Sequence, residues 1–99
     1  MTNKIYISGK ISGIEDEAIL LFEEAEREIS TWGDLGVNPM NLNHEDSQTW
    51  VNYMKTDIKA LCDCNAIYML NNWTNSKGAE IERRIAIDLG MNVIYQKCK

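Results

Sequence analysis

The 99-residue sequence predicts an α/β domain: a three-layer, doubly wound parallel sheet of the flavodoxin or Rossmann type, with four strands in order 2-1-3-4. Three observations predict it. Four strand-like runs alternate strictly with three helical ones, in the order β-α-β-α-β-α-β, which calls for parallel strands with right-handed helical crossovers. The third strand-like run, AIYML, is apolar throughout, as a strand covered on both faces must be. No repeat, low-complexity stretch or linker breaks the alternation, so residues 1–99 make one domain.

Each element has its own justification. Lys4–Ser8 carries the β-formers Ile5, Tyr6 and Ile7, and Gly9 ends the run. Glu15–Thr31 repeats apolar residues at helical spacing (Ala18, Leu21/Phe22, Ala25, Ile29), with Glu15, Asp16 and Glu17 at the positive end of the helix dipole. Trp32, Gly33 and Gly36 mark the exit. Val37 centres a short second strand, Pro39 stops it, and residues 40–46 form a polar loop in which His44 is expected to be exposed. A second helix starts at residue 47 or 49 and runs to about residue 61, with Trp50, Met54, Ile58 and Leu61 as its apolar stripe. Residues 66–70 form the third strand and 71–76 a polar loop. The third helix starts near Ser76, a good N-cap, and ends at Gly90. Residues 92–95 form the last strand.

Charge and composition narrow the function. Ten Lys+Arg against 15 Asp+Glu give a formal net charge of −5, which argues against a nucleic-acid polymer or a membrane surface as partner. No apolar run approaches the ~18 residues of a bilayer span, and the N-terminus lacks the apolar core of a signal peptide. Cys62, Cys64 and Cys98 are an odd set, read as reduced thiols of a cytoplasmic protein. With one histidine the set does not make a Cys/His zinc site, and neither metal nor cofactor is expected. So short a chain must cover both faces of a sheet, which predicts a homo-oligomer.

In a parallel sheet ligands bind beyond the carboxyl ends of the strands, where residues 9–13, 39–46 and 71–78 converge. The loop Gly9-Lys10-Ile11-Ser12-Gly13 is neither a Walker loop nor GxGxxG. It is either a βα turn that needs glycine or a phosphate cradle built from Lys10, Ser12 and the loop amides, with three acids close behind to weaken it. Asp57 falls inside the apolar stripe of the second helix, where a carboxylate is costly unless paired or used. Glu82 lines up with Ala79, Ala86 and Leu89 on an inward face, whereas Glu80 has Arg84 four residues on as a surface partner. Two carboxylates facing one cleft are the equipment for breaking a glycosidic bond; two unrelated half-buried acids are the alternative. Tyr6 is either a packed aromatic or a functional phenol.

Three stretches carry a resemblance: Ile5-Tyr6-Ile7-Ser8-Gly9-x-x-x-Gly13; Trp50-x-x-Tyr53-Met54-x-x-Asp57-Ile58-x-x-Leu61 with Ala66-Ile67-Tyr68-Met69-Leu70; and Trp73-x-x-Ser76-x-Gly78-Ala79-x-x-Glu82-x-x-x-Ala86-x-x-x-Gly90. Together they resemble the small DUF4406-type branch of the nucleoside 2-deoxyribosyltransferase-like superfamily, over nearly the whole chain. The resemblance implies a small-molecule nucleoside or nucleoside 5′-monophosphate as substrate. It makes Glu82 the nucleophile at C1′, Asp57 the acid near the leaving base and Tyr6 the residue that positions the nucleophile. It places substrate contacts on Ser8, Gly9, Lys10, Ser12 and Gly13 and on Ser76 and Gly78. Arg83 and Arg84 stand where relatives carry smaller residues and are expected to narrow the site. A catalytically silent nucleotide-binding module is the alternative function. A receiver-like signalling domain is weaker, since Ser8-Gly9 stands where such a domain clusters acids for Mg²⁺.

Overall fold

The alternation of β1 (Lys4–Ser8) decides the layers. Ile5 and Ile7 face one way, Tyr6 and Ser8 the other, as a period of two requires. The computed structural model describes residues 2–44 and 49–97. The expected helix start at Ser47, the end of the 40–46 loop and Cys98 lie outside the described residues. Strand β1 pairs in parallel with β2 (Leu35–Val37) on one side and β3 (Ala66–Met69) on the other, and β3 pairs with β4 (Asn92–Tyr95). Among the described residues this makes a four-stranded, all-parallel sheet in order 2-1-3-4, as the alternation predicted.

Helix α1 (Glu15–Thr31) lays Ala18, Phe22, Ala25 and Ile29 over Ile5, Ile7, Ala66, Tyr68 and Leu70. Fully burying a side chain such as Phe22 or Ile29 contributes about 1.5–3 kcal/mol. The opposite face is covered by α2 (Trp50–Cys62) and α3 (Lys77–Asp88), which pack Leu61, Ala79 and Ala86 against Tyr6, Ile67 and Met69. Both helices are capped by a side chain: Thr49 accepts from the Asn52 amide and Ser76 from the Ala79 amide, at 3.2 and 3.1 Å. Cys62 is exposed and Cys64 buried, both as free thiols, and burial pushes the Cys64 thiol up to about 11. No described helix is long and apolar enough to cross a membrane.

Several sequence expectations need correction. Trp50 is 44% exposed and Ile58 only half-buried, so the buried stripe of α2 is Met54, Asp57 and Leu61. Trp50 is the first residue of its helix and projects beyond the sheet that Met54 and Leu61 cover. Leu89 lies past the last turn of α3 and is exposed. Arg84 reaches Asp88 (3.6 Å) rather than Glu80; on so exposed a face the choice of partner is worth little. Arg83 does not narrow any cleft. Its guanidinium stands over Trp73 at 4.8 Å, and its Nε donates to the Tyr95 hydroxyl at 2.8 Å, on the outer side of β4.

The chain reverses across the sheet after β2, passing over β1 to reach β3. The loops leaving the adjacent ends of β1 and β3 therefore diverge to opposite faces, which opens a crevice between them. Gly9 lies at its base, where a Cβ would stand 2.6 Å from Leu70 Cδ1 and 2.8 Å from Leu70 Cβ. Leu70 is fully buried and has nowhere to move. Gly9→Ala is therefore expected to cost about 1–3 kcal/mol by overpacking, and Leu70→Ala, itself a loss in the wild type, to cost less in the Gly9→Ala background. Urea unfolding of the single and double variants measures this; a Gly9→Ala variant as stable as wild type would show that the turn relaxes.

Candidate active site

The crevice holds a cavity of about 400 Å³, within the usual range for a small-molecule site. Its floor comes from α3. Ala79, Glu82 and Ala86 form the buried stripe of that helix, and the two alanines let it approach the sheet closely enough for Glu82 to reach β1. Glu82 is 5% exposed. Tyr6 donates its hydroxyl to Glu82 Oε2 at 2.8 Å, and Ser8 donates to Oε1 at 2.7 Å. The two donors are two residues apart on one strand, so the pleat itself aims both at the same carboxylate. Burial pushes the Glu82 carboxyl up to about 7, with the Ser8 and Tyr6 hydrogen bonds pulling it down and the charge of Asp57 adding to the rise. Burial, reinforced by Glu82, holds the Tyr6 phenol well above its ordinary range, so it remains a donor at neutral pH.

Asp57 occupies the matching place on α2. Met54, Asp57 and Leu61 repeat the spacing of Ala79, Glu82 and Ala86, so each helix carries one carboxylate in the middle of its buried stripe. Burial raises the Asp57 carboxyl, and the hydrogen bond and charge of His44 work against that rise. His44 was expected to be exposed. Its side chain is instead only 13% accessible, with Nε2 2.8 Å from Asp57 Oδ1 and its ring stacked on Tyr53 at 4.5 Å. Nothing in its sequence spacing marks this, because a loop has no periodicity to read.

The mouth is apolar and aromatic, lined by Ile11, Trp50, Tyr53 and Met54, with Ser12, Ser76 and Gly78 as small and polar neighbours. Lys77 stands over the Trp50 ring, 5.2 Å from its centroid.

Of the residues singled out in the sequence, the cavity brings together Tyr6, Gly9, Ser12, Asp57, Ser76, Gly78 and Glu82. Ser8, Lys10 and Gly13 are not among the described residues that line it. Ser8 is spent on Glu82. The Lys10 amide donates to Asn72 Oδ1 at 2.9 Å, and the Gly13 amide to Glu15 Oε2 at 3.0 Å. The expected phosphate cradle has thus already used two of its amides, one of them on a carboxylate of the chain itself. Gly13 has φ 88°, a value that requires glycine, so the turn reading accounts for it. Glu15, expected at the helix dipole and as one of the acids that weaken anion binding, lines the cavity; the Gly13 amide and its own hold its carboxyl below the ordinary range.

A family model described as a domain of unknown function, DUF4406, matches residues 3–95. The chain belongs to the DUF4406 family. No curated protein matches it. Among solved structures, the DUF4406 chain is similar to a 2-deoxyribosyltransferase from Leishmania mexicana, with a TM-score of 0.72 and 18% sequence identity. The similarity covers 94% of this chain and 63% of that one, so the DUF4406 chain spans less than two-thirds of its neighbour's length. At that identity what the two share is the fold.

The raised Glu82 carboxyl has a consequence for stability. Its folded pKa of about 7 lies above the ordinary 4.5, so the folded state binds more protons between those values. The contribution is fully present below pH 4.5 and is lost as pH rises through about 7. The shift corresponds to about 3 kcal/mol. Glu82→Gln, which cannot ionise, should gain on wild type by up to that amount between pH 4.5 and 8. Parallel stability curves for the two proteins in urea would show that the carboxylate is not held out of its ordinary range.

Proposed function

We propose that this DUF4406 chain cleaves or transfers the N-glycosidic bond of a nucleoside through a glycosyl-enzyme intermediate. The observation that carries the reading is the Glu82 carboxyl, buried on the cavity floor with each oxygen held by a hydroxyl from β1. An apolar side chain would fill that place at far lower cost, since burying a carboxylate stabilises no fold by itself. The deoxyribosyltransferase-like fold supports the same reading.

In the proposed reaction a Glu82 oxygen forms a bond to C1′ as the C1′–N bond breaks. The electron pair of that bond goes to the departing base, which takes a proton from Asp57. A Glu82–glycosyl ester remains. A water molecule or a second base then attacks C1′, freeing Glu82 and returning a proton to Asp57. Tyr6 and Ser8 hold the nucleophile in its attacking rotamer, and Trp50, Tyr53 and Met54 offer flat apolar surface to a base.

The cavity favours an uncharged nucleoside over its 5′-monophosphate. Its described lining includes Glu15, Asp57 and Glu82 but neither lysine nor arginine, and Glu15 already occupies the Gly13 amide. We also propose self-association in the cytoplasm, supported by exposed apolar side chains such as Leu20 and Leu89 and by the free thiols. Sedimentation as a monomer at micromolar concentration would count against self-association.

The test is incubation with a panel of deoxynucleosides and their monophosphates, with released base read by chromatography. Glu82→Gln is expected to lower base release by at least about 10³-fold, while Glu80→Gln, on the exposed side of α3, leaves it unchanged. Retained activity in Glu82→Gln would mean that the carboxylate is structural and would return the silent binding module to first place. Glu15→Gln is expected to raise kcat/KM several-fold for monophosphates and to leave nucleosides almost unaffected. An equal change for both would remove Glu15 from the account of specificity.

A further inference from the structure

His44 is the single histidine of the chain, and it lies behind the acid of the proposed reaction rather than in the cavity. Its Nε2 is 2.8 Å from Asp57 Oδ1, with both side chains almost sealed from solvent, at 13% and 12% exposure. The ring is clamped from the side by Tyr53, stacked at 4.5 Å with an interplanar angle of 23°. Tyr53 and Asp57 are one helical turn apart on α2, so a single turn fixes both the plane of the imidazole and the group it meets. A surface ion pair has none of these restraints. A histidine needed only to cap a loop would not have to meet the one carboxylate of α2 that faces the cavity.

We propose that His44 is a positioning residue for this reaction: its Nε2–H holds Oδ1 of Asp57, so that the proton on the other carboxyl oxygen is aimed at the departing base and the carboxylate left behind is stabilised. The proposal rests on the glycosidic reading given above. With Oδ1 held by His44, the second oxygen of Asp57 is the one left to meet the substrate. Before the reaction the imidazole donates through Nε2 to Oδ1 of a carboxylic acid whose proton sits on Oδ2. As C1′–N breaks and the Glu82 ester forms, Asp57 gives one proton to the base nitrogen. The pair is then a neutral imidazole donating through Nε2 to a carboxylate. Attack on C1′ by water, or by a protonated incoming base, releases one proton and restores the first state. Atoms and charge balance without any further reactant.

Two measurements test it. The first reads the ring nitrogens of the only imidazole by ¹⁵N NMR, without reference to activity. Asp57→Asn must move the Nε2 resonance; an unmoved resonance overturns the pair. The second is kinetic. His44→Ala removes the ring and its hydrogen-bond donor, whereas His44→Gln keeps a donor. His44→Ala is expected to lower kcat by about 10²-fold with KM changed less than about threefold, and His44→Gln to recover part of that loss. The loss should be largest for bases that leave poorly without protonation, and added imidazole should restore His44→Ala by about tenfold or more. A purely structural histidine would not give that dependence on leaving base. Base release by wild type that both variants equal overturns the His44 proposal alone. A wild type that releases no base from any nucleoside overturns the glycosidic reading and the proton delivery with it.

Discussion

Burying the Glu82 carboxylate under a helix is the constraint from which the rest of the site follows. A charge taken out of water must be met by hydrogen bonds or give up its ionisation, and here each happens in part. Tyr6 and Ser8 supply one hydroxyl to each oxygen. Burial still wins over those two bonds, which leaves the group close to its midpoint at neutral pH. The arrangement demands a particular register between β1 and α3, and the sheet is built to hold it. Strand β1 is paired on both sides, and α3 approaches through Ala79 and Ala86, whose small side chains keep the helix low over the strand. Larger residues there would lift Glu82 away from its donors.

The topology explains why the second carboxylate comes so close. Because the chain turns back across the sheet after β2, α2 and α3 are neighbours on the same face, and each presents its buried stripe to the crevice. Where Gly78 opens α3, a Cβ would lie 3.1 Å from Met54 Sδ, so the two helices are in contact beside the cavity. Two helices with the same i, i+3, i+7 stripe thereby place one acid each in a shared space. Their environments differ. Glu82 is met by neutral hydroxyls and Asp57 by an imidazole, which is how one fold separates the protonation of two like groups.

The first loop uses its glycines and two of its amides on the chain itself. Its glycines answer to backbone geometry: Gly13 adopts a left-handed φ, and Gly9 leaves room for Leu70. The amide that an anion would seek at Gly13 is taken by Glu15, two residues on. The acid that favours the helix dipole thus also holds the loop through Gly13, and the cavity it lines is acidic, with an apolar rim.

The sequence by itself determined the layers and much of the floor of the site. Strict alternation of strand and helix leaves few topologies, and four strands in order 2-1-3-4 were legible before any coordinate. Periodicity also picked out Asp57 and Glu82, because a carboxylate inside an apolar stripe is visible at helical spacing. By its own position Tyr6 was either a packed aromatic or a functional phenol, and only the resemblance tied it to Glu82. Only the tertiary structure decided the partners. That Ser8 meets Glu82, that His44 folds in from its loop onto Asp57, and that Glu15 takes the Gly13 amide all depend on contacts to which no local period applies. Regular elements reveal their inward side chains through repetition. Loops meet their partners only once the sheet has brought distant segments together.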